Sequence, residues 1–214
     1  MEQPGGRREK PLLRGWSHLA GFLCSLVAGP LAVAAARTGE PRTLAAVYAV
    51  SLSGLLGVSS LYHRRHWHED SLPWMRRLDH STIFVLIGGS STPFALALPA
   101  EDRAGYLAVV WGACALGAVR AVAWPYAPKW LAAATYLGVG WGIASFVPQM
   151  LPMAPDGVMP WVFAGGVTYS LGALCYAFKR PNPVPGVFGY HEVFHALVLV
   201  AAAMHYVAVR RMLG

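Results

Sequence analysis

Seven long apolar stretches, separated by short segments rich in polar residues, proline and glycine, divide the chain. Each stretch is close to the length of about 20 residues that an α-helix needs to cross about 30 Å of hydrocarbon. The pattern therefore predicts seven transmembrane helices, over residues 17–36, 43–62, 80–98, 106–123, 130–147, 161–178 and 190–209. The connections are too short to form a soluble domain. We expect an all-α fold, a polytopic seven-helix bundle over residues 16–214, preceded by a basic tail over residues 1–15.

The composition supports a membrane protein. Hydrophobic residues make up 56% of the 214 positions and charged residues only 13%, which is too apolar for a water-exposed surface. Lys and Arg outnumber Asp and Glu by 17 to 10, so the formal net charge is +7. These positive charges lie at the ends of predicted helices and form no compact patch, which argues against a nucleic-acid partner. Anionic lipid headgroups are the partners that this distribution favours.

The distribution of Lys and Arg also predicts the orientation, because positive charge beside a transmembrane helix is retained in the cytoplasm. Of the 17 Lys and Arg residues, twelve lie in the tail or near the loops after the second, fourth and sixth predicted helices. The other five lie at the opposite ends of the predicted helices. We therefore predict a cytoplasmic N-terminus and an outer C-terminus, in a plasma membrane of the bacterial inner-membrane type.

The last predicted helix begins with His191-Glu192-Val193-Phe194-His195. Two histidines four residues apart lie on one face of a helix, about one turn apart, which suits a shared metal ion. The pattern H-E-x-x-H is typical of zinc proteases, in which the histidines are ligands and the glutamate is the general base. A zinc site of this kind needs a third protein ligand.

The predicted topology brings His63 and Asp79 to the same cytoplasmic level as this motif, and Ser59 lies on the face of His63 one turn deeper in the membrane. With His63 as the third imidazole, His191 and His195 would form a tetrahedral zinc site with one open position. Asp79 is then a candidate general base. Ser59 is a candidate hydrogen-bond donor to that aspartate or to a developing oxyanion.

Each of these residues also has an ordinary structural explanation. His63 alone would be an interfacial histidine, Asp79 a helix N-cap and Ser59 a hydroxyl in helix packing. His205 lies about 15 Å deeper than His195, too far to share an ion. His205 and four other histidines are placed outside the predicted metal site. The other four are His18, His66, His68 and His80.

Motifs along most of the chain are similar to those of the hemolysin III proteins, bacterial relatives of the progestin and adipoQ receptors. The resemblance covers about residues 15–210 and combines S-x-x-x-H, a following Asp and H-x-x-x-H in that order. It rests on residues 59–63, 78–83, 89–94, 140–141, 165–169 and 188–195.

The resemblance implies a seven-helix fold in which His63, His191 and His195 hold zinc, with Asp79 touching the metal through water. It extends to alkaline ceramidases, membrane enzymes that hydrolyse lipid amides. It therefore implies a metal-dependent hydrolase of lipid amides or esters, with a membrane lipid or lipid-like substrate. The family name records a haemolytic phenotype of some members.

Three alternatives stay open at this point. The chain could be a non-catalytic sensor or regulator of membrane lipid state with a structural zinc. It could be a haemolysin that forms a pore, although its ionisable groups cluster at one end of the bundle and do not line a path across the bilayer. It could be an intramembrane metalloprotease with Glu192 as the base. The sequence predicts no particular oligomeric state.

Overall fold

The computed structural model describes residues 11–214, so most of the predicted basic tail lies outside the described residues. The fold is all-α, as expected. Residues 11–214 contain seven long helices, together with a 3-10 helix (Thr92–Ala97) and the one-turn helix α6 (Val147–Met150). The long helices are α1 (Trp16–Ala35), α2 (Glu40–Arg64), α3 (Leu72–Ser91), α4 (Ala100–Ala123), α5 (Lys129–Ala144), α7 (Val158–Phe178) and α8 (Tyr190–Leu213).

The long helices follow one another around a ring. Helices that are neighbours in the chain pack side by side from α1 to α4, α5 packs on α4 and α7, and α8 packs on α7 and returns to α1. Side chains such as Tyr48, Phe84 and Val110 are fully buried inside this ring. Polar residues on the inner faces of different helices therefore share one enclosed interior.

Polar contacts define one end of the bundle, which we call the site end. Helices α1, α3, α5 and α8 begin there, and α2, α4 and α7 end there. Arg14, just before α1, forms an ion pair with Glu192 in the first turn of α8. Lys129, the first residue of α5, contacts the hydroxyl of Tyr190, the first residue of α8. The chain before α1 and the first turn of α8 are thus held together.

Contacts at the two ends also fix the directions of α2, α3 and α4. At the site end, Arg76 of α3 donates a hydrogen bond to the carbonyl of Pro125, just after α4 (2.8 Å). At the opposite end, Arg103 near the start of α4 pairs with Glu40 at the start of α2 (2.6 Å). Helices α2 and α4 are therefore parallel, and α3 with the 3-10 helix runs antiparallel between them.

Six helical segments in the described part of the chain are long and apolar enough to cross a membrane: α1, α2, α4, Lys129–Met150, α7 and α8. Their outward faces expose large apolar side chains, including Leu31 on α1, Leu116 on α4 and Phe178 on α7. Extended apolar faces of this kind need contact with lipid. The chain is a polytopic membrane protein.

Helix α3 differs from the predicted third helix. It begins at Leu72, earlier than residue 80, and its α-helical part ends at Ser91. The first turns carry Arg76 and Arg77, which made this stretch resemble a loop in the sequence. Pro93 has no backbone N–H to continue the α-helical hydrogen bonding, and the chain tightens there into the 3-10 helix.

A close approach between α3 and α4 fixes the position of α3. A methyl group added at Gly117 of α4 would lie 2.1 Å from the ring of Phe84 in α3. At Gly112 of the same helix, an added methyl group would meet nothing within 4 Å. Because α3 also carries Asp79, this contact positions a candidate site residue.

We predict that Gly117→Ala lowers the free energy of unfolding by about 1–3 kcal/mol, because the added methyl group overpacks the Phe84 ring. Gly112→Ala is the matched control. It should be neutral or slightly stabilising, since alanine has the higher helix propensity. Thermal unfolding in detergent, followed by circular dichroism, measures both variants. Equal stability of the two would contradict the packing described here.

Candidate metal centre

Three histidines from two helices meet inside the bundle at the site end. His63 lies in the last turn of α2, and His191 and His195 lie one turn apart at the start of α8. Each offers one ring nitrogen, and the three nitrogens lie within 4.8 Å of one another. Nε2 of His191 is 3.2 Å from Nε2 of His63. The three residues, which we call the triad, form a group that could hold a metal ion.

The spacing and burial of the triad suit such an ion. Ligand atoms about 2.0–2.1 Å from a tetrahedrally bound zinc ion lie roughly 3.3 Å from one another. This is close to the 3.2 Å between the nitrogens of His63 and His191. His63 is 8% exposed and His195 is 2% exposed. The triad is largely enclosed by protein, and a metal ion is a partner that the three imidazoles could share.

Asp79 and Ser59 lie beside the triad. Oδ2 of Asp79 is 3.8 Å from Nε2 of His63. The Ser59 hydroxyl interacts with the same carboxylate. Both residues are buried. Asp79 lies in the second turn of α3, so it does not cap the helix, and the structure brings together all five residues of the predicted cluster.

Glu192, the central acid of the H-E-x-x-H motif, has a different environment. Its Oε2 accepts a hydrogen bond from the backbone N–H of Gly189 (2.8 Å), and its Oε1 pairs with Arg14. Both carboxylate oxygens are therefore engaged at the N-terminus of α8, where a carboxylate satisfies free backbone N–H groups. This arrangement argues against the role of general base that a zinc protease would require of Glu192.

The triad, Asp79 and Ser59 line one end of a cavity of about 250 Å³ in the core of the bundle. Along α3 the lining residues extend from Asp79 to Ser91, about 18 Å at 1.5 Å per residue. Met150 and Met159 line its other end. The walls are mainly apolar, so the triad lies at the polar end of a long apolar space.

Comparison with known proteins places the chain in a family. The family described as Haemolysin-III related matches residues 7–206. This chain belongs to that family. It is 29% identical over 159 residues to the Hemolysin-3 homolog of Bacillus subtilis (strain 168), covering 73% of this chain and 71% of that protein.

Two further relatives show the breadth of the haemolysin-III family. The chain is 29% identical over 167 residues to Hemolysin-3 of Bacillus cereus, covering 76% of this chain and 72% of that protein. It is 28% identical over 191 residues to the Heptahelical transmembrane protein ADIPOR2 of Oryza sativa subsp. japonica, covering 80% and 82% of the two chains. The family predicted from the sequence motifs is confirmed.

His18 lies at the candidate metal centre of this haemolysin-III relative, although its position in the sequence did not group it with the triad. Its ring stacks on that of His195, with centroids 3.8 Å apart and an angle of 5° between the planes. His18 is 3% exposed. A signal for this placement was present in the sequence: the first and last predicted helices begin on the same side, and His18 and His195 both lie near those beginnings.

The remaining histidines lie outside the triad. His66 and His68 are exposed in the loop after α2, where His68 pairs with Asp70 at 3.1 Å. His80 lines the cavity next to Asp79 in the chain. His205 lies farther along α8, where its Nε2 is 3.2 Å from the carbonyl oxygen of Val162 in α7.

We predict that the purified haemolysin-III chain binds one divalent metal ion and that His191→Ala lowers the bound metal at least tenfold. The physical reason is the loss of one of three nitrogen ligands. His68→Ala removes an exposed imidazole and is the matched control, which should keep the metal content of the wild type. Elemental analysis by mass spectrometry after gel filtration measures the content. Equal metal in wild type and His191→Ala would refute the site.

Proposed function

We propose that this protein is a zinc-dependent hydrolase that cleaves an amide or ester bond of a membrane lipid. The observation that carries the proposal is the position of a buried histidine triad and Asp79 at one end of a long apolar cavity. Hydrolysis of a lipid needs polar groups that activate water, an apolar space for the acyl chain and access from the bilayer. Each requirement has a candidate in this bundle.

Zinc is the metal that three neutral imidazoles with an open position suit best, whereas magnesium and calcium prefer oxygen ligands. His63, His191 and His195 would hold the ion. When bound, it would supply Lewis-acid polarisation of the carbonyl that is attacked. The triad therefore supports the zinc site that the family resemblance implies.

Asp79 is the residue to which we assign proton transfer. Its carboxylate lies 3.8 Å from a triad nitrogen, next to the space that the reacting water would occupy. As general base it would accept a proton from that water while oxygen bonds to the acyl carbon. It would then return the proton to the amine or alcohol that leaves. Ser59, whose hydroxyl interacts with Asp79, would hold the carboxylate in place by a hydrogen bond.

The cavity offers a lipid acyl chain a place to lie, and a seam between α5 and α7 offers a route from the bilayer. Gly140 of α5 and Gly166 of α7 both line the cavity and add no side chain to its wall. Trp141 lines the cavity and is also 44% exposed on the outer surface, with its indole N–H bonded to Ser170 (3.0 Å). We assign lateral entry of the substrate to this seam.

A second candidate function is a sensor of membrane lipid state in which the metal is structural. The observation in its favour is that the triad joins α2 to α8 and that His18 of α1 stacks on the same group. A metal there would stabilise helix packing whether or not a reaction occurs.

The name of the Bacillus relatives suggests haemolysis, but the structure gives a pore little support. Among the described residues that line the cavity, Asp79 is the only Asp, Glu, Lys or Arg.

We also propose that α3 with the 3-10 helix is a seventh span and that the site end is cytoplasmic. Because α2 and α4 are parallel, the segment from Leu72 to Ala97 has to cross the bilayer between them. Most of the Lys and Arg residues lie at the site end, and positive charge favours the cytoplasm. These side chains would contact anionic headgroups at the inner face of the plasma membrane.

The orientation predicts the accessibility of single cysteines introduced into a chain whose Cys24, Cys114 and Cys175 are replaced by serine. Leu151→Cys, at an exposed position of the opposite end, should react with a membrane-impermeant maleimide in intact cells. His68→Cys, exposed at the site end, should react only after the membrane is permeabilised. Mass shifts of the labelled protein on gels measure both. The reverse pattern would place the N-terminus outside.

The assignment of Asp79 predicts that Asp79→Asn lowers hydrolysis about 100-fold or more while the metal content stays at the wild-type level. Asparagine cannot accept the proton, and general base catalysis typically contributes this much. Release of fatty acid from a panel of ceramides and phospholipids, presented to the purified protein in mixed micelles, measures the rate. Glu192→Gln is the matched acid-to-amide control, and it should hydrolyse within a few-fold of the wild type.

The two alternatives to this mechanism predict different results in the same assay. If Asp79→Asn keeps full function while His63→Ala loses thermal stability, the metal is structural and the sensor is favoured. If Glu192→Gln abolishes hydrolysis with metal and stability intact, the protease-like mechanism is favoured. Glu192→Gln should instead lower stability by about 0.5–2 kcal/mol, because the carboxylate caps α8.

A further inference from the structure

Two buried polar atoms, on residues that line the cavity away from the candidate metal centre, have no hydrogen-bond partner within residues 11–214. They are the hydroxyl oxygen of Tyr169 on α7 and Nδ1 of His205 on α8, and both atoms are buried. Both residues line the cavity, and their rings meet edge to face with centroids 5.3 Å apart. His205 lies ten residues after His195 on α8, about 15 Å farther along the helix.

Other hydroxyl groups that line the same cavity are satisfied by the protein. The hydroxyl of Tyr106 donates to the carbonyl of Ser91 (3.0 Å), and the hydroxyl of Ser91 donates to the carbonyl of Ile87 (2.7 Å). A buried polar group without a partner costs about 1–3 kcal/mol, so native structures rarely keep one without a reason. Tyr169 and His205 therefore need a partner other than the residues that the structure describes.

The packing around His205 is tight. A methyl group added at Gly165 of α7 would lie 2.2 Å from Cδ2 of His205, so the ring lies against bare backbone. Nε2 of His205 is 3.2 Å from the carbonyl oxygen of Val162. A carbonyl only accepts hydrogen bonds, so Nε2 carries the hydrogen and Nδ1 of the neutral ring is left as an acceptor.

We propose that Tyr169 and His205 form a second polar subsite that binds a hydroxyl group of an otherwise apolar ligand. A hydroxyl can donate to Nδ1 of His205 and accept from the Tyr169 hydroxyl at the same time, which a carbonyl cannot do. The ligand group is uncharged, because no Asp, Glu, Lys or Arg other than Asp79 lines the cavity in the described part of the chain. The inference does not depend on hydrolysis at the triad.

The same chemistry could come from a lipid hydroxyl or from a buried water molecule, and we commit to the lipid. The two unpartnered atoms belong to residues that line a mainly apolar cavity, and His205 lies about 15 Å along α8 from His195 of the triad. A linear lipid that fills this space would bring its far end to Tyr169 and His205. The subsite would then select chains with a hydroxyl at that end over chains that end in a methyl group.

Binding of dodecanoic acid and 12-hydroxydodecanoic acid to the purified full chain in detergent tests the proposal. The quantity to compare is the ratio of the two Kd values, measured by calorimetry, in wild type and in Tyr169→Phe. The preference for the hydroxylated acid should be about 3- to 10-fold greater in the wild type than in Tyr169→Phe, because the variant loses one hydrogen bond to the ligand hydroxyl. Comparing ratios removes the difference in how the two acids partition into micelles.

Two further variants sharpen the test. Tyr106→Phe removes a cavity hydroxyl that already has a partner, and it should keep the wild-type ratio. His205→Phe should lower the ratio as Tyr169→Phe does. Tyr169→Phe should leave the thermal stability of the ligand-free protein unchanged or raised, since it removes an unpartnered group. Equal ratios in wild type and Tyr169→Phe would show that the pair holds water only and would overturn the proposal, as would failure of both acids to bind.

Discussion

Ionisable side chains inside an apolar bundle have to find partners within the protein, since hydrocarbon offers none. In this chain the requirement falls most heavily on one end of the ring. The imidazoles of His63, His191 and His195 can share an ion only if α2 and α8 are adjacent there. The pair formed by Arg14 and Glu192 adds the chain before α1 to the same contact. The cavity keeps a polar end because these helices bring their polar groups to one level.

Much of this arrangement follows from coarse features of the sequence. Hydrophobic length predicts the helices, and the alternating direction of successive spans predicts which helix ends share a side. This is enough to group His63 with His191 and His195. The start of α3 was harder to predict because Arg76 and Arg77 look like loop residues. Their side chains bond backbone carbonyls at the end of α4, a contact between segments far apart in the chain that no local pattern reveals.

The H-E-x-x-H motif shows why a local pattern can fix geometry without fixing roles. Helical spacing alone puts His191 and His195 on one face. The role of Glu192 depends on Arg14, which arrives from 178 positions earlier in the chain and engages the carboxylate. His18 was missed for a related reason, since its significance lies in the ring it stacks against and not in its neighbours in the sequence.

The separation of the triad along the chain has a consequence for biogenesis. His63 and His191 are 128 positions apart, and they meet only when the last helix lies against the second. A chain that enters the membrane from its N-terminus therefore completes the triad at the end of its assembly. Capture of a metal ion by the triad would then be a late step, and it would distinguish molecules whose seven long helices have closed their ring from those still being inserted.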